Sequence, residues 1–172
     1  MIDIAVEGAG DWWEVEQLFD LCFAPGREAL SSYRLREGVA PIAPLCLTAR
    51  GEGGTLAAAI RYWPVCVGSF PALLLGPVAV HPTRQGEGLG AFLMQTSLAR
   101  AGELGHARIL LVGDAPYYGR FGFTRLDHVH MPPPTNPERV LGLDLGDGAW
   151  RAVGGAVTSI AAGACGQGPG QA

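Results

Sequence analysis

From Val78 to Gly90 the chain reads Val-Ala-Val-His-Pro-Thr-Arg-Gln-Gly-Glu-Gly-Leu-Gly. An apolar stretch passes into a loop with glycines at alternate positions, and a helix is expected to start at Gly88. The first amides of a helix have no partner inside it, and its dipole places positive potential there. Glycines let a backbone come close to a ligand and adopt unusual dihedrals. The pattern suits a phosphate or pyrophosphate. It is not a Walker-type loop, because Gly90 is followed by Ala91-Phe92 where a Lys-Ser/Thr pair would be needed. The spacing Gly-x-Gly-x-Gly also differs from the dinucleotide fingerprint Gly-x-Gly-x-x-Gly. The alternative is a loop whose glycines only close a turn and pack a helix.

The elements around the loop follow from periodicity and breakers. Residues 2–6 read as a strand. Trp12, Val15, Leu18, Phe19 and Cys22 recur at three- and four-residue steps behind Asp11, a helix with a candidate N-cap. Pro25-Gly26 ends it. A second helix is expected over 27–37, closed by Gly38. Residues 45–50 read as a strand, 51–54 as a hairpin turn, and 55–62 as the return strand, extending toward Val67. Gly68-Ser69 is a further turn, and 72–80 a strongly apolar strand. These pieces form an antiparallel meander. The helix from Gly88 carries Leu89, Phe92, Leu93, Thr96, Ala99 and Leu104 on one broad face, and Gly105 stops it. Residues 107–112 form a buried strand, so strand, glycine loop, helix and strand make a β-α-β unit with parallel strands. A helical turn over 115–120, a strand from Phe123, the Pro132-Pro133-Pro134 loop and a strand over 140–145 follow. Residues 1–162 are expected to form one domain, and 163–172, rich in Gly and Gln, a flexible tail.

The chain has 172 residues, enough for one domain with a sizeable core. An apolar share of 48% against 16% charged residues argues against disorder. Net charge is −4 and the 12 basic residues are scattered, which argues against a nucleic-acid partner. The longest apolar run, near 73–80, is broken by Gly76-Pro77 and is too short to cross a bilayer. Met1-Ile2-Asp3-Ile4 lacks the basic-then-apolar pattern of a secretory signal. Cys22, Cys46, Cys66 and Cys165 show no metal-site or redox spacing and read as small apolar fillers. A reducing, cytoplasmic setting without membrane or metal is the expectation.

Gln85-x-x-Gly88-x-Gly90 behind a Val-Ala-Val strand resembles the acyl-CoA-binding motif of the GNAT superfamily of N-acyltransferases. Asp114-Ala115-Pro116-Tyr117-Tyr118-Gly119-Arg120-Phe121-Gly122-Phe123 is similar to that family's later motif, a tyrosine four residues before Gly-Phe. The likeness spans roughly residues 2–130, and the segment after His130 departs from the minimal pattern. It implies an α/β fold of the α+β kind, with a mostly antiparallel sheet splayed between two parallel strands and flanked by helices. It implies acetyl-CoA as cosubstrate and a primary amine as acceptor, and it is compatible with a homodimer. Gly76-Pro77 favours a bulge that would bend the 72–80 strand away from its parallel neighbour. Val78, Ala79 and Val80 would then pair with the pantetheine arm as an added strand does. The pyrophosphate would lie on the amides of Gln85, Gly86, Glu87, Gly88, Leu89 and Gly90.

Acetyl transfer needs a neutral amine, a donor for the oxyanion and a stabilised thiolate. The resemblance makes Tyr118 the general acid, in contact with the cosubstrate; packing against Tyr117 is its other reading. The Val80 amide or a neighbour is a candidate oxyanion donor. His81, at the end of the cofactor strand, is a candidate base or a solvated loop residue. Asp114 is a candidate base or the cap of the 115–120 turn. Glu28 and Glu37 lie on the helix pair from which the family builds its acceptor pocket. A non-catalytic acyl-CoA-binding or regulatory module on the same fold is the competing reading.

Overall fold

The computed structural model describes residues 1–23, 27, 30–163 and 165. The elements run β1 (Asp3–Val6), α1 (Trp12–Cys22), α2 (Ser31–Arg34), β2 (Leu47–Arg50), β3 (Leu56–Val67) and β4 (Phe70–Val80). They continue with α3 (Leu89–Glu103), β5 (Arg108–Val112), α4 (Ala115–Gly119), β6 (Thr124–Arg125), β7 (Val129–His130), β8 (Val140–Asp144) and β9 (Gly155–Ser159). The sheet order is β1-β2-β3-β4-β5-β8-β6, and all pairs on this path are antiparallel except β4 with β5. This is the mixed, mostly antiparallel sheet that the motif resemblance implies.

Alternation along β3 sorts side chains between two layers, as a period of two requires. Ile60 and Tyr62 pack with Leu89, Leu93 and Met94 of α3. Ala59 packs with Val15, Leu18 and Phe19 of α1. Tyr62 Oη, fully buried, lies 2.7 Å from Ser97 Oγ, which also donates to Met94 O at 3.1 Å. This polar link ties the middle of α3 to the centre of the sheet.

Several boundaries differ from the sequence-based expectation. Of the helix predicted over 27–37, the described residues show one α-helical turn at Ser31–Arg34, followed by turns to Gly38; residues 28 and 29 lie outside the described residues. The expected stops at 25 and 26 lie outside the described residues, as does the predicted tail apart from Gly163 and Cys165. The buried stripe of α3 is Leu89, Leu93, Met94, Ser97 and Ala101, whereas Phe92 and Leu104 are half exposed. Asp11 precedes α1 without capping it. Its carboxylate instead takes the Gly8 amide at 2.7 Å and Arg50 at 2.9 Å.

The sequence is compatible with one extra strand or more after His130 but does not place β9 (Gly155–Ser159). β9 lies antiparallel to Val65–Val67 of β3, beyond the reach of β2 on the same edge. That pairing brings the end of the chain back over Cys66, and Cys66 is bonded to Cys165 with Cα atoms 5.4 Å apart. The reading of these two cysteines as fillers is therefore corrected. A sequence separation of 99 carries no signal for such proximity. Cys22 and Cys46 are free thiols, and burial pushes Cys46 up to about 11. Among the described residues, no helix is long and apolar enough to cross a membrane.

Replacing Ser97 by alanine leaves a buried phenol without its partner. The expected loss of stability is about 1–3 kcal/mol, read as a lower urea midpoint at unchanged slope.

Candidate active site

The site begins where β4 stops pairing with β5. Their parallel register holds at Leu73↔Ile109 and Leu74↔Leu110 and goes no further. Across β4 the register with β3 passes from Tyr62↔Leu75 to Ile60↔Val78, so β4 carries one extra residue there. The bulge falls at Gly76, whose φ of +134° suits glycine. Trp63 Nε1 donates to Gly76 O at 2.9 Å and fixes the outward carbonyl.

The pairing pattern says which way the following backbone groups point. His81 N–H donates to Ala57 O at 2.7 Å, so this pair is hydrogen-bonded. Bonded and non-bonded pairs alternate in an antiparallel ladder. Ala79↔Ala59 is therefore bonded, while Val80↔Ala58 and Val78↔Ile60 are not. The amides and carbonyls of Val78 and Val80 face away from β3, into the gap left by β5. Cys22 Sγ reaches Val80 O from that side at 3.3 Å.

The glycine loop follows at once. Gly86 and Gly88 have φ of +88° and +79°, and the first α-helical bond runs from Phe92 N–H to Gly88 O at 3.0 Å. Gln85, Gly86, Glu87 and Gly88 are exposed, and a Cβ on Gly86 or Gly88 would meet nothing within 4 Å. Arg84 Nε donates to Glu87 Oε2 at 2.6 Å, which holds the loop's only acidic side chain aside. An anion could take the free amides here.

Tyr118 stands at the mouth of the gap. It lines one hollow together with Leu75, Pro77 and Val78 of β4 and Leu111 and Val112 of β5. Burial, then the neighbouring Tyr117, push its phenol up to about 12, with Asp114 adding to the rise and Arg139 opposing it. Its ring lies against Gly113, where any Cβ would collide with it. Tyr117 packs edge-on at 4.9 Å between centroids. A Cβ on Gly90 would stand 3.5 Å from the Tyr117 hydroxyl and 3.4 Å from Val80 Cγ2, so Tyr117 reaches the start of α3.

Two candidate bases are placed elsewhere. Asp114 accepts from Tyr117 N–H at 3.2 Å as the cap of α4. His81 Nδ1 lies 2.8 Å from Thr83 Oγ1 and 3.2 Å from Thr83 N, and its ring borders a hollow with Glu14, Gln17 and Leu18 of α1. Neither is among the residues lining the gap. Glu28 lies outside the described residues, and Glu37 borders an adjoining hollow on the α1 face.

That adjoining hollow holds side chains the sequence did not single out. Arg61 lies fully buried, with Glu7 at 2.7 and 3.0 Å and the Trp12 ring centroid 3.7 Å away. Arg27 bonds Glu16 at 2.7 Å, Asp20 at 2.9 Å and the Tyr33 hydroxyl at 2.7 Å. Arg36, Trp63 and Pro77 complete it. An arginine alternating with alanine, tyrosine and tryptophan on an otherwise apolar strand was the available signal for Arg61.

A sheet parted beside a strand edge that no strand pairs, with a glycine-loop helix and a tyrosine at the opening, is the arrangement that the motif resemblance implies. The chain belongs to the acetyltransferase (GNAT) family, whose family model matches residues 12–123. It is 28% identical over 129 residues to the uncharacterized N-acetyltransferase YhbS of Escherichia coli strain K12, covering 74% of each chain. The crystal structure of YhbS from Escherichia coli with CoA matches at a TM-score of 0.79 and 27% identity, over 92% of this chain and 89% of that one. A GNAT family acetyltransferase from Brucella melitensis with acetyl-CoA matches at 0.71 and 28%, over 92% and 95%.

The close approach of Gly113 to Tyr118 can be tested directly. Gly113→Ala forces the ring aside, and overpacking of this kind costs about 1–3 kcal/mol. Most of that loss is expected to vanish in a Tyr118→Ala background, a coupling that denaturation of the two single variants and the double variant reads.

Proposed function

We propose that the protein transfers the acetyl group of acetyl-CoA to a primary amine by direct attack, through a tetrahedral intermediate. The observation that carries this reading is the edge of Val78 and Val80 that no strand pairs, facing a gap that Tyr118 lines. Val78, Ala79 and Val80 offer that edge to the pantetheine amides. Gln85, Gly86, Glu87, Gly88, Leu89 and Gly90 offer the pyrophosphate their free amides at the positive end of α3.

The Val80 amide or its neighbour donates to the developing oxyanion. Tyr118 serves the departing sulfur. A phenol held at about 12 is a weaker acid than a simple thiol near ~8.5. Complete proton loss from Tyr118 to the thiolate is therefore uphill. The hydroxyl acts first as a hydrogen-bond donor, and passes its proton on only as the acceptor's ammonium replaces it. His81 and Asp114 are engaged as local caps. The proton that an entering ammonium must lose to become a neutral amine is therefore assigned to water, separately from the one that Tyr118 relays from the attacking nitrogen to the sulfur.

Calorimetry and thermal shift test the cosubstrate: acetyl-CoA is expected to bind and raise Tm, and ATP or NAD to leave it unchanged. An acceptor found by thiol release then permits the second test. Tyr118→Phe is expected to fold, to bind acetyl-CoA within about threefold of the parent, and to lose roughly 10²-fold in kcat. Because the raised pKa keeps the phenol protonated, the parent's kcat should show no falling limb from Tyr118 between about pH 7 and pH 10. Full turnover by Tyr118→Phe with chemistry rate-limiting would remove the acid assignment.

A further inference from the structure

Three guanidiniums gather on the α1 side of the sheet beside the opening, and they are not equivalent. Arg27 and Arg61 are each saturated by carboxylates, Arg27 by Glu16 and Asp20 and Arg61 by Glu7, with Glu16 a further 3.5 Å from Arg61. Arg36 is held by rings instead. Its guanidinium lies 4.1 Å from the Tyr33 ring centroid and 5.4 Å from that of Trp63. Arg36 Nε is buried without a hydrogen-bond partner. Among the described residues, Arg36 forms no ion pair, and Glu37, which borders the same hollow, does not pair with it.

Its position is as telling as the lack of a carboxylate beside it among the described residues. A Cβ on Gly76 would stand 3.8 Å from Arg36 Nη2, so the charged end rests against the bulge where β4 leaves β5. Arg36 lines both the hollow that contains Tyr118 and the adjoining one that contains Glu16 and Trp63. Burial lowers its pKa to about 10; Tyr33 offsets part of this and the charges of Arg27 and Arg61 add to it. Arg36 as a whole is half-buried, and a guanidinium whose Nε is buried with no carboxylate beside it among the described residues is costly. A planar fork with free N–H groups matches a carboxylate in two-point fashion. A simple amine and a neutral acetyl group would leave that charge uncompensated.

We propose that Arg36 binds a carboxylate carried by one of the two reactants, so that the protein acts on a carboxylate-bearing acceptor or on a dicarboxylic acyl thioester. The rings of Tyr33 and Trp63 border the guanidinium at this contact. The inference rests on the acyl-transfer reading above. That reading fails if neither CoA nor acetyl-CoA binds, whatever happens at Arg36.

The test uses matched probes that differ only in a carboxylate. In the acceptor arm, amino acids and dipeptides are compared with their C-terminal amides as acetyl acceptors. Their N-acetyl derivatives are also titrated into the CoA-saturated protein. In the acyl arm, succinyl-CoA is compared with butyryl-CoA by calorimetry. One arm is expected to favour its carboxylate member by about tenfold or more, the scale of a charge-assisted hydrogen bond. Arg36→Met should bring that ratio to within about twofold, and Arg36→Lys should retain part of it, having the charge without the fork. Retained CoA binding by Arg36→Met certifies that the variant is folded at the site. No carboxylate preference in either arm overturns the proposal, as does a preference that Arg36→Met leaves intact.

Discussion

One additional residue in β4 organises the site. Had the ladder between β3 and β4 stayed in register through Gly76, β4 would have kept its neighbour β5 and no gap would exist. Instead Leu74↔Leu110 is the last rung, and the next groups that face β5 have no strand to meet. A free strand edge inside a sheet is ordinarily a liability. Here the indole of Trp63 bonds the carbonyl of Gly76 and keeps the bulge in one shape. The gap is thus a fixed feature of the protein's backbone, and its groups are oriented before any ligand arrives.

The two faces of the gap are built differently. On the α3 side the walls are apolar, with Leu75, Leu111 and the Tyr118 ring in one continuous cluster. On the α1 side, buried arginines and their carboxylates set the position of the helix. Arg61 bonds Glu7 just after β1 and the Trp12 carbonyl, and approaches Glu16 on α1. One strand residue thereby ties β1 and α1 to the sheet centre. Such ion pairs repay their desolvation only when they are well paired, and Arg61 and Arg27 meet that condition.

The order of elements was largely legible in the sequence. The strand, glycine loop and helix from Val78 to Glu103 is local, and local patterns carry local structure. Gly76-Pro77 announced the bulge because these two residues fit a regular ladder poorly. What escaped depended on side-chain contacts, some distant and some only a few residues away. The helix expected as far as Glu37 shows one α-helical turn at Ser31–Arg34, and just beyond it Arg36 lies over the rings of Tyr33 and, in the sheet, Trp63. His81 reads as a cleft residue from its place at a strand end, but the turn at Thr83 claims its ring. Gly113 gave no sign of its importance, since only the fold brings the Tyr118 ring against it.

The covalent link between Cys66 and Cys165 gives the chain an unusual connectivity. Every segment from β4 through β9, including the glycine loop and both strands of the gap, lies inside the ring that the bond closes. While the bond is intact, a protease that cuts once between those cysteines opens the ring and leaves one covalent molecule. The same cut at the exposed turn over 51–54, which lies outside the ring, releases β1, α1, α2 and β2 as a separate peptide. On a gel run without reductant the two kinds of nick therefore give one band and two, although each breaks a single peptide bond.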